Sequence, residues 1–406
     1  MIASRTNWTG VIYGLSLSFF AAYQLFRLPP ALPLLLERYG YDRALAGGFM
    51  SVYALAGLLT SLYLGRQIER HGIARPVLAA LVIMVAGNLL SLLWPEQGLM
   101  MLAARGLEGI AFAALAIAGP VLAQRETSAR QLPLVIGLTA AWMPVGQMVA
   151  AVAAPFAFAL YGWQLLWIAA LAGCLALAAW TMVLAGRGTV ALGPHHAEGS
   201  TRPSEPITPA QRRTLMLAAA VFMLWSGQYI AAMTWLPQFL VEAQGLALDS
   251  ALAAYLLPVA VLALFNLLTG VLLRAGVPLG LLLLGAVASQ AVLWLLVPMG
   301  QGALGLALLV IYGMGAGIAP ACLFAMPNAI VGQSRRAAGA FGVMMTGRNL
   351  GVLVGPVLIG QVFKLTGNWS DVVPVFAALA LAATVLAAAL ALRLARLGPA
   401  AHGTSR

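Results

Sequence analysis

The sequence predicts an all-α membrane protein whose twelve transmembrane helices form two parallel six-helix repeats. Its composition is 62% hydrophobic and only 8% charged, whereas about a quarter of the residues in a soluble domain are charged. Long apolar stretches recur twelve times along the chain, and about 20 apolar residues are enough to cross the hydrocarbon core as a helix. In addition, the two halves of the chain repeat several short motifs in the same order.

The twelve stretches are predicted to be helices because lipid offers the backbone no hydrogen-bond partners. The first stretch, Val11–Leu36, is too long for the apolar core of a cleavable signal peptide. Cys174 and Cys322 both lie inside spans, which predicts neither a disulfide nor a metal cluster. The predicted spans are near residues 10–36, 44–65, 73–94, 98–124, 132–158, 163–185, 214–241, 249–273, 277–298, 301–325, 337–363 and 371–395.

One long polar segment divides the spans into six and six. Residues 186–213 are rich in Gly, Pro, His and Ser, a composition that cannot bury a core and that predicts a flexible linker. We therefore expect an N-terminal bundle over residues 1–185, a cytoplasmic linker over 186–213 and a C-terminal bundle over 214–406. His195 and His196 fall in the linker and are interpreted as solvated residues rather than metal ligands.

The positive charges indicate the orientation of the helices. The formal net charge is +11. Most basic residues fall at the chain ends and in alternate loops, and only Arg38, Arg43 and Lys364 fall in the other loops. Because Lys and Arg favour the cytoplasmic side, both termini are predicted to be cytoplasmic, in a bacterial inner membrane. The basic excess thus reflects topology and does not indicate a nucleic-acid partner.

The repeat predicts where a solute would bind. Arg27-Leu28-Pro29 in the first span corresponds to Trp235-Leu236-Pro237 in the seventh. Gly137, Gly146 and Gly162 correspond to Gly342, Gly351 and Gly367 at one constant offset. Both halves begin on the same side, so the repeat is parallel. Such repeats place the solute site between the halves near the bilayer midplane, and transport follows from alternating access.

Three arginines lie inside predicted spans, and they are the strongest functional signal. Arg27, Arg105 and Arg348 would each cost about 2.5–3.5 kcal/mol to insert at bilayer depth, so such residues face a protein interior or a cavity. The one acid at comparable depth is Glu108. We therefore expect at least two guanidiniums to lack a carboxylate partner, which predicts an anionic solute.

The loop between spans two and three carries a motif. It reads Gly65-Arg66-Gln67-Ile68-Glu69-Arg70-His71-Gly72-Ile73-Ala74-Arg75-Pro76, and it resembles the cytoplasmic signature of the major facilitator superfamily. That family usually has Asp at the position of Glu69. The resemblance implies the major facilitator fold and a conformational latch made by Gly65, Glu69, Arg70, Gly72 and Arg75.

The fourth span contains a second similar element. Arg105-Gly106-Leu107-Glu108-Gly109 resembles the family's Arg-x-x-x-Gly element, in which Gln is common at the position of Glu108. Arg105 and Glu108 are three residues apart, so they share a helix face and can form an ion pair. Two interpretations remain open for Glu108: a structural partner of Arg105, or a protonation site coupled to transport.

Within the superfamily, the chain is similar to the cyanate permease and nitroimidazole transporter branch. The similarity comprises Arg27 before Pro29 and Pro30, Pro133–Leu138 entering span five, and Trp235–Glu242 ending span seven. It implies a small anionic or small polar organic solute. In this fold the first, fourth, seventh and tenth spans line the cavity. The candidate solute-binding residues are Gln24, Arg27, Arg105, Trp142, Gln147, Tyr229, Trp235, Asn266, Arg348 and Asn349.

These observations predict a monomeric secondary active transporter, whose partners are a small solute and the lipid bilayer. The sequence has no Gly-x-x-x-x-Gly-Lys-Ser/Thr loop, so ATP is not expected to drive transport directly. No cofactor, metal or enzymatic activity is expected. The alternative function is a multidrug or siderophore exporter of the same fold, in which the arginines are structural.

Overall fold

The computed structural model describes residues 5–128, 130–193, 208–296, 302–331 and 336–397, and the secondary structure within these ranges is helical. The chain divides into two compact units, Met1–Glu198 and Gly199–Arg406. The first unit contains α1 (Trp8–Phe26), α2 (Leu28–Tyr39), α3 (Arg43–His71), α4 (Ala74–Leu93), α5 (Gly98–Arg125), α6 (Leu132–Ala140), α7 (Trp142–Leu160) and α8 (Gln164–Arg187). The second contains α9 (Pro209–Glu242), α10 (Leu248–Arg274), α11 (Leu279–Leu296), α12 (Gly302–Val331), α13 (Arg336–Thr366) and α14 (Trp369–Leu397).

The number of membrane spans agrees with the sequence prediction. Twelve segments are long and apolar enough to cross a bilayer, which confirms the all-helical, twelve-span fold class. Two predicted spans are nevertheless broken, so the described residues contain more helices than spans. The first span breaks at Arg27 and the fifth at Ala141. In both cases proline follows closely (Pro29 and Pro144), and its missing N–H removes a hydrogen bond from the preceding turn.

The spacing of small residues on α13 brings this helix very close to α9. Gly347, Gly351 and Gly355 recur every four residues, and a Cβ at Gly351 would collide with the carbonyl oxygen of Met223 on α9. Gly355 has the same relation to Gly227. Small residues permit such close approach between membrane helices. These glycines therefore serve the packing of α13 against α9.

The first residues of the predicted linker pack against the N-terminal unit, although the composition of the segment is that of a flexible linker. α8 continues to Arg187, and the backbone N–H of Ile73 donates to the carbonyl of Leu192 at 2.7 Å. The carboxylate of Glu126 accepts from the backbone N–H of Ala191 at 2.8 Å. Val190 and Leu192 are buried in the same core cluster as Ile73. These two apolar side chains explain the difference, because their burial fixes a segment whose overall composition is that of a linker.

Residues 194–207 of that linker, with His195 and His196, lie outside the described residues. α9 begins at Pro209, inside the predicted linker, with Thr208 and Gln211 forming a capping box. The division between the units at Glu198 also falls within the predicted linker.

Candidate functional site

At the break between α1 and α2, the guanidinium of Arg105 binds backbone carbonyls of α1. Pro29 has no N–H, so the carbonyl of Leu25 loses its donor within the helix. Arg105 of α5 takes over this role: its guanidinium donates to the carbonyls of Gln24 at 3.2 Å and of Leu25 at 3.5 Å. A neighbouring helix thereby satisfies the backbone that the prolines leave open, as the membrane interior requires.

Glu108 lies between two guanidiniums. Its Oε1 is 2.6 Å from Nη2 of Arg27, and its Oε2 is 2.5 Å from Nη1 of Arg105. All three side chains are completely buried. We refer to Arg27, Arg105 and Glu108 as the Arg–Glu–Arg cluster. With both guanidiniums and the carboxylate charged, the cluster carries one net positive charge.

This pairing changes one expectation from the sequence and confirms another. At least two of the three intramembrane guanidiniums were expected to lack a carboxylate, and this was wrong because one carboxylate has two oxygens and bridges Arg27 and Arg105. The expected ion pair between Arg105 and Glu108 is confirmed. The functional role of Glu108 stays a prediction.

Three residues that the sequence analysis missed complete the cluster. Nη1 of Arg27 donates to Oδ1 of Asn88 on α4 at 2.5 Å. Cζ of Arg27 lies 4.3 Å from the ring centroid of Trp167, and Cζ of Arg105 lies 4.3 Å from that of Tyr53. Cation–π contacts of this kind stabilise a desolvated guanidinium by about 2 kcal/mol. A polar Asn88 inside an otherwise apolar span was the available signal, whereas the aromatic residues gave none.

Several buried polar atoms around the cluster have no hydrogen-bond partner in the described part of the chain. They are Gln24 Oε1, Arg27 Nε, Tyr53 OH and Trp167 Nε1. The amide nitrogen of Gln24 is 3.9 Å from Sγ of Cys174, a weak interaction. Buried polar atoms in proteins are nearly always hydrogen-bonded, so four atoms without a partner around one cationic cluster are unusual.

The two predicted site residues on α7, Trp142 and Gln147, differ in how deeply they are buried. Trp142 is half-buried and stacks on Phe112 of α5, with ring centroids 5.7 Å apart. Gln147 is buried. Trp142 therefore contributes to packing between α7 and α5.

The second unit contains Arg348, the third of the arginines inside predicted spans. Arg348 on α13 is half-buried, and its Nη1 donates to Oδ1 of Asn349 at 3.0 Å. Tyr229 of α9 interacts electrostatically with Arg348, and its ring stacks on that of Trp225 at 5.1 Å. Among the ion pairs of the described residues, none includes Arg348. Arg348 is therefore a cation inside a span that no carboxylate of the described chain compensates.

The structure does not group all of the predicted site residues. The indole N–H of Trp235 donates to the carbonyl of Pro356 at 3.1 Å, and the amide of Asn266 donates to the carbonyl of Gly317 at 3.4 Å. These bonds connect neighbouring helices within the second unit. Of the predicted residues, the contacts join Gln24 with the Arg–Glu–Arg cluster in the first unit, and Asn349 and Tyr229 with Arg348 in the second.

The signature loop forms a tight connection between α3 and α4. Gly72 follows α3 with φ of +80°, a conformation that L side chains rarely adopt, which explains glycine there. Arg70 and Arg75 are exposed, and Gly65 lies within α3, where an added Cβ would meet no other atom within 4 Å. The side chain of Glu69 lies outside the described residues. The latch stays a prediction.

Comparison with known sequences decides the family. A profile of the Major Facilitator Superfamily matches residues 14–356, which is most of the chain. The chain belongs to the major facilitator superfamily. Membership indicates a multi-pass membrane transporter rather than an enzyme. The match is to the superfamily as a whole and does not support the narrower resemblance to the cyanate permease and nitroimidazole transporter branch. No curated protein sequence matches this superfamily member.

Solved structures show the same fold. One is a bacterial homologue of the human lysosomal transporter Spinster in an inward-facing, occupied conformation, with a TM-score of 0.70, 14% identity and 98% of each chain covered. The unoccupied inward-facing form of a bacterial Spinster homologue has a TM-score of 0.66, 15% identity and 95% coverage of each chain. At this identity the likeness concerns the fold alone.

Proposed function

We propose that this major facilitator protein is a secondary active transporter of small organic anions that works by alternating access. One observation carries the proposal: the Arg–Glu–Arg cluster has a net positive charge, and Arg348 is a second cation without a carboxylate partner in the described residues. Cations at bilayer depth are costly and usually serve a solute or ion pathway. We further propose a monomer in a bacterial inner membrane with both termini cytoplasmic.

Arg348 is proposed as the principal anion-binding group. A guanidinium has five N–H donors, and the bond to Asn349 uses one nitrogen. The remaining fork matches the two oxygens of a carboxylate. Asn349 and Tyr229 are proposed to contact the same solute. Solute-binding roles are also proposed, from the sequence, for Gln24, Arg27, Arg105, Trp142 and Gln147 of the first unit. Of these, Gln24 and Arg27 carry buried atoms that have no hydrogen-bond partner in the described residues.

A thermal-shift screen with matched pairs of ligands tests the proposal. Each carboxylate would be compared with its uncharged amide, for example benzoate with benzamide, so that only the charge and the two oxygens differ. We expect carboxylates to raise the unfolding temperature of the purified protein and the amides to have no effect. Stabilisation by a broad set of neutral hydrophobic compounds, with no preference for the anions, would contradict the proposal and favour the multidrug exporter.

We also propose that Glu108 couples transport to protons. Protonation of Glu108 alone would leave two buried guanidiniums without an anion. An anionic solute that binds to one guanidinium would replace the carboxylate and allow Glu108 to take up a proton. This competition would give symport, because the anionic solute and the proton on Glu108 would be bound, and carried across the membrane, together.

The expected result for Glu108→Gln is the loss of solute accumulation driven by an imposed pH gradient, with solute exchange preserved. Both would be measured in proteoliposomes made from preparations that remain monodisperse. Exposed Glu37→Gln is the matched control. Gradient-driven accumulation by Glu108→Gln at the wild-type level would show that Glu108 is only a structural partner of the arginines.

The signature loop is proposed to act as a latch at the cytoplasmic surface. Its exposed arginines, Arg70 and Arg75, are suited to a pairing that holds one transport state, and Glu69 is the proposed acid of the latch.

A further inference from the structure

A cavity of about 820 Å³ lies within the C-terminal unit. Its walls come from the end of α9, the start of α10, the end of α11, and the starts of α12 and α14. Neither Arg348 nor any member of the Arg–Glu–Arg cluster lines it. Its volume falls in the range of about 300–1,000 Å³ that is typical of cavities for small organic ligands.

The walls of the cavity are mostly apolar and include six aromatic residues, and none of the described residues that line it is charged. The rings of Trp294 and Phe376 stack with centroids 4.3 Å apart. Trp369 packs edge-on against Phe239 at 5.6 Å. Such stacked and edge-to-face pairs are favourable arrangements, and they give the cavity walls defined ring faces.

Of the three indole N–H groups on the walls, two are bonded to the protein, and Nε1 of Trp294 has no hydrogen-bond partner in the described residues. The indole N–H of Trp235 donates to the carbonyl of Pro356, and that of Trp369 donates to Oε2 of Glu242 at 2.9 Å. The hydroxyl of Tyr312 accepts from Nε2 of Gln228 at 3.1 Å. The indole N–H groups of Trp235 and Trp369 are therefore used within the protein, and these two residues present ring surface to the cavity.

The polar lining residues outside this aromatic part are Gln244 and Ser250, next to the connection between α9 and α10. Ser250 is exposed and Gln244 is half-exposed. The cavity is therefore polar near this connection and apolar along the helices. Apolar walls favour apolar ligands, and this gradient suits a molecule with one small polar head and one apolar chain.

We propose that this cavity binds the acyl chain of an amphiphile, with the polar head at the connection between α9 and α10. The chain could come from a free monoacyl amphiphile or from a bilayer lipid, and both present the same chemistry to the walls. The proposal is independent of anion binding at Arg348.

Quenching of tryptophan fluorescence by bromine tests it, because Trp235, Trp294 and Trp369 all line the cavity. The full-length protein in nanodiscs would be titrated with 9,10-dibromostearate. We expect saturable quenching, with an amplitude that decreases in Trp294→Phe and does not change in Trp8→Phe, since Trp8 lies in the first unit. A second arm uses nanodiscs of dibrominated phosphatidylcholine, and quenching there before any addition identifies the bilayer as the source of the chain.

Filling the cavity provides the decisive variant. Ala253 of α10 lines the cavity, and Ala260 is exposed on the same helix and does not line it. Ala253→Phe is expected to weaken saturable quenching about tenfold or more through overpacking, whereas Ala260→Phe leaves it unchanged. Arg348→Gln is also expected to leave it unchanged, which separates this site from the anion site. Quenching that is non-saturable, or equal in Ala253→Phe and Ala260→Phe, would overturn the proposal.

Discussion

Glu108→Gln is expected to destabilise the N-terminal unit by about 3–5 kcal/mol, because removing one partner of a buried ion pair leaves charge uncompensated. Removing the carboxylate of Glu108 leaves two cations uncompensated, because Glu108 accepts from both Arg27 and Arg105 and all three side chains are fully buried. The measurement is thermal unfolding of the detergent-solubilised protein. Glu37→Gln removes an exposed acid from α2 and serves as the control.

A charge-balanced variant separates lost charge from lost shape. Arg27→Gln combined with Glu108→Gln removes one cation and one anion, so the cluster keeps its single net positive charge. We expect this double variant to be more stable than Glu108→Gln alone. The double-mutant cycle then gives the interaction free energy between Arg27 and Glu108 in the folded protein. If Glu108→Gln unfolds at the same temperature as Glu37→Gln, the carboxylate does not stabilise the cluster.

Arg348→Gln is expected to reduce transport by about tenfold or more while leaving the protein at least as stable as wild type. Truncating a bidentate contact to a carboxylate costs at least about 1.5–3 kcal/mol of binding. Stability should not fall, because no ion pair in the described residues includes Arg348. Its removal therefore leaves no carboxylate of these residues without its cationic partner. Arg348→Gln is therefore expected to lose transport without losing stability, whereas Glu108→Gln is expected to lose both stability and gradient-driven accumulation.

Arg348→Lys sharpens this test. Lysine keeps the charge but not the planar fork, so transport should still be impaired if bidentate recognition is required. Uptake into proteoliposomes and thermal unfolding would be measured in parallel, with the exposed Arg274→Gln on α10 as the matched control. Wild-type uptake by a folded Arg348→Gln protein would exclude Arg348 as the anion-binding group.

The sequence by itself determined the twelve spans and the superfamily signature. A bilayer requires every long apolar run to satisfy its backbone internally, so hydropathy alone predicts helices there. The ion pair of Arg105 and Glu108 was also predictable, since residues three apart share a helix face.

Only the tertiary structure decided that Arg27 and Arg105 share one carboxylate. Arg27 and Glu108 are 81 positions apart, and nothing in either segment indicates how α1 and α5 are rotated relative to each other. The prolines of α2 contribute to this outcome, since they break the first span at Arg27. The acyl-chain cavity and the fixed start of the linker likewise depend on contacts between distant segments. Hydropathy and helical period are local properties of the chain, whereas the partner of a buried charge depends on how separate helices pack.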